Sequence, residues 1–182
     1  TLGAWGLGWE VWCDGMEISQ FTYFQQVGGH DCKPITGEIT YGLERLAMFI
    51  LECESVMNLP YNSPNSQRPI KYSDIFLKAE KQYSEWNFNV ANTEIIFRHF
   101  DDAEKMCKEI LGIGDLKNES SSKKNILVQP AYDQCIKASH LFNVLDSRGV
   151  ISTAQRQVYI GRVRALAKLC ADAYIDEVSS RV

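Results

Sequence analysis

Residues 37–45, GEITYGLER, run on into LAMFI and decide how the first part of the chain folds. The β-branched and aromatic residues at 38–41 favour a short strand. Gly42 interrupts that pattern, and the apolar residues after it recur at helical spacing on one face: Leu43, Leu46, Ala47, Ile50 and Leu51. The sequence therefore predicts a strand, a glycine turn and a helix over residues 43–52.

The neighbours Glu44 and Arg45 fall in the first turn of that predicted helix. The backbone N–H groups of a first turn are unpaired and the helix dipole is positive there, so a carboxylate is stabilising and an arginine is not. Arg45 therefore destabilises the start of this helix. Its planar guanidinium suits stacking on an aromatic base or clamping a phosphate. It could equally be a surface arginine paired with an acid, and the residues alone leave both interpretations open.

Polar side chains on the predicted strands form a second group of candidates. Glu38 and Thr40 are two residues apart, so they share one face of a strand. On a pocket wall, Glu38 would hold a ligand ammonium and Thr40 would narrow the space; a solvent-facing edge is the slightly favoured alternative. Glu17 and Gln20 are three residues apart, so they reach one site only across a β-bulge.

The chain around these candidates divides into a β-rich part and a helical part. Residues 7–13 and 16–24 read as strands joined by Asp14-Gly15, a strong hairpin signal. Gly28-Gly29 ends the second strand, and a loop through Pro34 is expected before the strand at 38–41. A polar, proline-punctuated loop at 62–69 places a boundary near residue 70. The predicted class is α+β, with an antiparallel sheet in 1–69 and an all-α domain in 70–182.

Amphipathic stripes and capping signals predict the helices of the second part. Asn92 is a candidate N-cap, Gly149 closes a helix, and Ser152 with Gln155 forms a capping box for the last one. A low-complexity loop, NESSSKKN, is expected at 118–125. The stripes contain Ile96, Phe100, Ala103, Cys107 and Ile110, then Tyr132, Cys135, Ser139, Phe142 and Leu145, then Tyr159, Val163, Leu166, Cys170 and Ala173.

Composition excludes several classes of protein. Of the 182 residues, 45% are apolar, yet no run approaches the length of about 20 that a membrane span needs. The first residues lack the basic segment of a signal peptide. The six cysteines are scattered without a CxxC pair, which argues against a zinc site. Their even number could suggest disulfides, but the spacing and the ordinary core composition favour free thiols in a reducing cytoplasm. Because the chain starts without Met and enters its pattern abruptly, we treat it as a possible fragment.

The net charge is −4, so the chain as a whole has no positive electrostatic field that would attract nucleic acid. Arg156, Arg162, Arg164 and Lys168 lie along the last predicted helix, where a solvated face is favoured over an RNA-contacting patch. The three histidines are far apart in sequence, so a nucleophile-plus-base triad has little support.

Several long strings resemble one family of enzymes. GEITYGLERLAMFI resembles motif 3 of a class II aminoacyl-tRNA synthetase. The string TLGAWGLGWEVWCDGMEISQFTYFQQVGG closely resembles the alpha subunit of bacterial, heterotetrameric glycyl-tRNA synthetases. The resemblance continues through YSDIF, PAYDQCIKASHLFNVLDSRGVIS and RQVYIGRVRALAK, and therefore covers essentially the whole chain.

The resemblance implies a reaction and a set of roles. The class II sheet would activate glycine with ATP and Mg²⁺ to glycyl-adenylate, then transfer glycine to its tRNA. Arg45 falls on the motif 3 arginine that stacks on adenine, with Gly42 beside the nucleotide, and Glu17 falls on an acid used towards ATP and magnesium. Glu38, Thr40 and Gln20 fall on amino-acid-binding positions. Related alanyl enzymes have glycine at the position of Thr40, whose larger side chain would fill the space that a substrate methyl needs.

The resemblance also implies partners and gaps. The expected assembly is cytoplasmic, with two alpha and two beta subunits acting on tRNA(Gly). Motif 1 and motif 2 of the family do not occur in the chain, so we expect it to be inactive in isolation. Two other interpretations stay open: a non-catalytic module for subunit assembly, and a class II relative that activates another small amino acid.

Overall fold

The computed structural model describes residue 2 and residues 4–63, 65–113 and 126–180. Within these ranges the protein is a mixed α+β structure, with a three-stranded antiparallel sheet in the order β1-β2-β3 followed by helices. The predicted succession of sheet and helices is confirmed at this level. The loop predicted at 118–125 lies outside the described residues.

The sheet is a meander of three strands: β1 (Ala4–Cys13), β2 (Met16–Val27) and β3 (His30–Tyr41). Asp14 and Gly15 connect the first pair of strands with φ of 47° and 82°, the left-handed conformation that a tight hairpin requires. Gly28 and Gly29 make the second turn, with φ of 59° and 85°. The hairpin predicted at Asp14-Gly15 is confirmed.

The prediction of a loop through Pro34 was wrong, because β3 begins at His30 directly after the glycine turn. The ladder starts with Val27 opposite His30, and it then accommodates the proline in a large irregularity. Phe24 lies opposite Thr36 while Gln26 lies opposite Asp31. A proline has no N–H for a ladder, and an irregular edge strand is one of the few places in a sheet that tolerates it. The other two strands are also longer than predicted.

Five α-helices follow within the described ranges: α1 (Leu43–Ile50), α2 (Tyr72–Glu85), α3 (Thr93–Ile110), α4 (Val128–Ser147) and α5 (Thr153–Ser179). Short turns of other helical types occur at Val56–Asn58 and Trp86–Val90. The helix predicted over 43–52 stops at Ile50, since Glu52 has a φ of 48°.

The predicted helix signals are found in place. The Asn92 side chain accepts a hydrogen bond from the Ile95 N–H, and Ser152 and Gln155 form the capping box that opens α5. Gly149 adopts a φ of 67° after the end of α4. These local signals were readable because each depends on residues within one turn of the helix end.

The buried apolar core lies in the helical part. Every member of the core cluster comes from residues 91–170, with Phe100, Leu145, Leu166 and Val163 among the largest fully buried side chains. The three buried cysteines of the predicted stripes, Cys107, Cys135 and Cys170, belong to it. All six cysteines are free, as predicted.

The Arg162 side chain of α5 packs against this core and forms ion pairs there. Its guanidinium forms ion pairs with Asp101 and Glu104 of α3 and lies 4.5 Å from the ring centre of Phe100 and 5.0 Å from that of Tyr159. Burial would raise the pKa of Glu104, but hydrogen bonds and charge from Arg162 and Lys108 outweigh it, so the pKa is lowered. Arg162 is therefore a structural cation.

The sheet meets the helical part at the β2–β3 turn. Gly28 is buried there, and a Cβ built on it would lie 2.6 Å from the Ala171 Cβ. Beside it, His30 Nε2 lies 2.5 Å from an Asp172 carboxylate oxygen. A bridge between Pro60 and Lys71 closes the loop between the two parts. The domain boundary near residue 70 stays a prediction.

Candidate active site

Cross-strand register builds one polar surface on the sheet. Residues directly opposite each other in a ladder share a face. Glu10 lies opposite Gln20, which lies opposite Thr40, and Thr22 lies opposite Glu38 one step along the same face. We call this surface, made of Glu10, Glu17, Gln20, Thr22, Glu38 and Thr40, the polar face. The opposite face carries the aromatic cluster of Trp9, Phe21 and Tyr23.

A β-bulge brings Glu17 onto the polar face. Val11 pairs with Ser19, but the next residue, Trp12, pairs with Glu17, so Ile18 is the extra residue of β2. The extra residue restores the alternation between Glu17 and Gln20, which strict pleating would have placed on opposite sides. The sequence required such a bulge if both residues were to serve one site, and the structure contains it.

Glu38 and Thr40 are joined on the polar face, as their spacing predicts. The Thr40 hydroxyl donates a hydrogen bond of 2.7 Å to a Glu38 carboxylate oxygen. Both residues are exposed, so one carboxylate oxygen of Glu38 stays free to accept from a ligand. The hydrogen bond orients the carboxylate and places the Thr40 side chain beside whatever Glu38 binds.

The start of α1 is attached to the bulge by two backbone carbonyls. The Gly42 N–H donates to the Ile18 carbonyl at 2.9 Å, and Arg45 Nη1 donates to the Glu17 carbonyl at 2.8 Å. A Cβ on Gly42 would lie 3.3 Å from Arg45 Cδ and 3.4 Å from the Ile18 oxygen. Gly42 therefore allows the helix start to approach β2 closely enough for Arg45 to reach the sheet.

Arg45 also forms an ion pair with the acid predicted as its neighbour in the site. Its Nη1 lies 3.2 Å from Glu17 Oε2, with 49% of the Arg45 side chain and 27% of the Glu17 side chain exposed. The structure shows the predicted pairing of Arg45 with an acid, and that acid lies on the polar face, while a role in stacking on a base or clamping a phosphate stays a prediction. A planar guanidinium that is partly exposed suits stacking on an aromatic ring.

Glu10 and Trp12 are members of the site region that the sequence interpretation did not assign to it. The Trp12 indole N–H donates to Glu10 Oε2 at 2.9 Å, which holds a second carboxylate diagonal to Glu17 on the polar face. The signal that could have found Glu10 is the Asp14-Gly15 turn. A two-residue turn fixes the register, and the register places Glu10 opposite Gln20 once the bulge is allowed.

Metal ligation at this surface would depend on few side chains. Within the described ranges, no group of three or more histidine, cysteine or acidic side chains is placed to hold a metal ion. Magnesium that arrives with a nucleotide needs only one or two protein carboxylates, because phosphates and waters complete its shell. Glu17 and Glu10 fit that smaller requirement.

A comparison with protein-family models decides the relationship of the chain. The model described as glycyl-tRNA synthetase alpha subunit matches residues 1–179 of the 182-residue chain. The chain belongs to the glycyl-tRNA synthetase alpha subunit family. The expected family is thereby confirmed, and it covers both the sheet and the helices.

Membership of the glycyl-tRNA synthetase alpha subunit family carries coarse functional statements. Its members are aminoacyl-tRNA synthetases, which are ligases of translation that use ATP as a substrate. The family name denotes an alpha subunit, which implies a partner subunit and a tRNA. No helix in the described parts of the chain has the length and apolarity needed to cross a membrane.

Proposed function

We propose that the protein takes part in the ATP-dependent activation of glycine and its transfer to tRNA(Gly), as a glycine-tRNA ligase alpha subunit. The proposal rests on the membership of this family combined with the positions of the candidate residues. In a chain of this family, the candidate residues Glu17, Gln20, Glu38 and Thr40 lie on one face, with Arg45 attached at its edge. Such convergence suits a single substrate site.

Glu38, Thr40 and Gln20 are the proposed glycine-binding residues. Glu38 would receive the ammonium on its free carboxylate oxygen, since its other oxygen accepts the Thr40 hydroxyl. Thr40 stands next to that position and would exclude a substrate with a side chain. Gln20, directly opposite Thr40, would supply an amide to the same ligand.

Arg45 is the proposed adenine platform, next to the close approach at Gly42. The Glu17 pair holds the guanidinium at the edge of the polar face, with about half of the Arg45 side chain exposed. Nucleotide binding would exchange part of that pairing for contacts with ATP. Mg²⁺ would come with the triphosphate and meet Glu17, with Glu10 diagonal to it.

The proposed reaction needs no nucleophile from the enzyme. The glycine carboxylate attacks the α-phosphate of ATP, so that pyrophosphate leaves and glycyl-adenylate forms. The residues of this chain contribute by holding the ammonium, the base and the metal-bound phosphates in register. A polar, open sheet face without a serine–histidine–acid arrangement suits such a reaction.

The proposed setting extends to partners and fold. We propose a cytoplasmic assembly of two alpha and two beta subunits, in which the sheet is part of a class II synthetase catalytic domain spanning residues 1–69. The helical part, residues 70–182, would contribute to subunit assembly. Exposed apolar side chains along its helices, such as Phe88, Met106 and Ile136, support a role in protein contacts.

The test is glycine-dependent ATP–pyrophosphate exchange by the assembled alpha/beta enzyme. Arg45→Ala should lower kcat/KM for ATP by about tenfold, within the range of about 1–3 kcal/mol for the loss of one stacked base. Arg45→Lys keeps a charge for Glu17 but loses the planar platform, so it should not restore the rate.

A normal exchange rate in Arg45→Ala would contradict the proposed role. It would favour the alternative in which this chain is a non-catalytic assembly module. Exchange with another small amino acid in place of glycine would favour the class II relative. The three outcomes are separable in one assay, because it reads nucleotide chemistry before any tRNA is added.

A further inference from the structure

A cleft between the sheet and α5 lies away from the candidate active site. Its volume is about 410 Å³, and Trp5, Gln26 and the Gly28-Gly29 turn form one wall. The other wall carries Arg164 and Lys168, four residues apart and so on the same side of α5. Gln26 is near the opposite end of β2 from Glu17, so this cleft is separate from the polar face.

The two walls are fixed to each other by contacts at the turn. Gly28 sits against α5 so closely that it leaves no room for a side chain beside Ala171. Asp172 is shared between His30 Nε2 at 2.5 Å and Lys168 Nζ at 2.9 and 3.0 Å. Its pKa is lowered by the hydrogen bonds from Lys168 and His30. The charged Asp172 therefore holds the Lys168 side chain at the cleft and partly neutralises the positive charge of Lys168.

Arg164 is the cation of the cleft for which the described residues provide no acidic partner. Three of the basic residues along α5 have acidic partners: Arg156 pairs with Asp146, Arg162 with Asp101 and Glu104, and Lys168 with Asp172. Arg164 is exposed and has no ion pair or side-chain hydrogen bond among the described residues. An unpaired guanidinium offers its full fork of donors to an incoming anion.

Trp5 supplies an exposed aromatic side chain on the opposite wall. Its side chain is 57% exposed, and it lies directly opposite Gln26 in the ladder. The Gln26 amide donates to Asp31 at 2.7 Å, and the exposed indole is the aromatic group of that wall. An exposed aromatic side chain and a guanidinium without a described partner line the same cleft, which suits a ligand that carries both an anionic group and a flat ring.

We propose that this cleft binds a single-stranded segment of RNA, with a phosphate on Arg164, supported by Lys168, and an unstacked base on Trp5. A duplex would not serve, because its bases are already stacked and paired. An acidic protein segment would match the cations but leave the indole unused. The inference rests on the proposed function only for the identity of the RNA, which would be tRNA(Gly).

The experiment measures the Kd of tRNA(Gly) for the assembled alpha/beta enzyme over a range of salt concentrations. Arg164→Gln should weaken binding about three- to tenfold and reduce the slope of log K against log salt by about 0.7, the value for one phosphate contact on a single strand. Arg156→Gln is the matched control, since it removes the same charge from the same helix at a residue paired with Asp146, and should change neither quantity.

The aromatic half of the proposal has its own variants. Trp5→Ala should weaken tRNA binding about fivefold or more, the lower end for loss of one base stack. Trp5→Phe keeps an aromatic face and should restore most of the affinity. Failure of Trp5→Phe to rescue would indicate a structural effect of Trp5→Ala and would count against stacking.

Three outcomes would overturn the proposal. An unchanged Kd and salt slope in Arg164→Gln removes the phosphate contact. A raised KM for ATP in exchange without tRNA assigns the anion site to the nucleotide. Normal tRNA affinity with impaired beta-subunit association assigns the cleft to a protein partner. Wild-type glycine-dependent exchange is read separately, so failure of this inference is distinguishable from failure of the proposed function.

Discussion

Thr40 performs two proposed tasks that single substitutions can separate. Its hydroxyl donates to Glu38 at 2.7 Å, and its methyl group occupies space beside the same carboxylate. Thr40→Val keeps the volume but removes the donor. Thr40→Ser keeps the donor but removes the methyl group. Thr40→Gly removes both, so it cannot distinguish the two tasks by itself.

The expected magnitudes follow from the exposure of the pair. A hydrogen bond to a charged group contributes about 1.5–3 kcal/mol, and the exposed position of Glu38 and Thr40 favours the lower value. A loss of about 1.4 kcal/mol corresponds to a tenfold rise in KM for glycine in Thr40→Val. Exclusion of one methyl group contributes about 1–3 kcal/mol, so Thr40→Ser and Thr40→Gly should lose about tenfold or more of the discrimination against alanine.

The assay is ATP–pyrophosphate exchange with glycine and with alanine as alternative substrates. Thr36→Val is the matched control, because Thr36 lies on the same face of β3 four residues earlier and makes no side-chain hydrogen bond among the described residues. It should leave both substrates unaffected. Unchanged exclusion of alanine in both Thr40→Ser and Thr40→Gly would refute the proposal that the Thr40 side chain excludes larger substrates. An unchanged KM for glycine in Thr40→Val would refute the role of the hydrogen bond.

Further predictions concern the contacts that hold the molecule together. Gly28→Ala should destabilise more than Gly29→Ala by about 1–3 kcal/mol in urea unfolding, because both have positive φ but only the first would press a methyl group into α5. Equal losses would contradict the close packing. Arg162→Met should cost about 2 kcal/mol, and Arg156→Met, at a more exposed pair, less than about 1 kcal/mol. The folded pKa of Glu104 is lowered, so its contribution is present above its ordinary pKa of 4.5 and is lost as the pH falls through the folded value. The difference between wild type and Arg162→Met should therefore shrink below pH 4.5, and a difference that grows with acid would contradict this sign.

The helix ends were predictable because their determinants are local. Asn92, the Ser152–Gln155 box and Gly149 each act within one turn, and the structure shows all of them in use. The Asp14-Gly15 hairpin belongs to the same class. The loop prediction at Pro34 failed for the opposite reason, since an irregular ladder absorbed the proline and two glycines with positive φ turned the chain back at once.

The candidate site was only partly predictable. The shared face of Glu38 and Thr40 follows from a period of two, but the hydrogen bond between them depends on rotamers that no spacing specifies. The spacing of Glu17 and Gln20 requires a bulge if both are to share one face, and only the strand register shows that a bulge exists, at Ile18. Glu10 was missed because its place depends on the register of the whole hairpin.

By itself, the sequence determined the α+β succession, the helix stripes and caps, and the family to which the chain belongs. These depend on neighbouring residues or on long matching strings. The tertiary structure decided how GEITYGLER meets the rest of the chain: the Gly42 N–H donates to the Ile18 carbonyl, 24 residues earlier in sequence, and Arg45 donates to the Glu17 carbonyl, 28 residues earlier. It also decided the acidic partners of Arg162 and Arg156, which lie on α3 and α4, whereas Lys168 pairs with Asp172 one turn along α5 and Arg164 has no ion-pair partner among the described residues. Partners distant in sequence are chosen by packing, and packing has no short-range pattern from which it could be read.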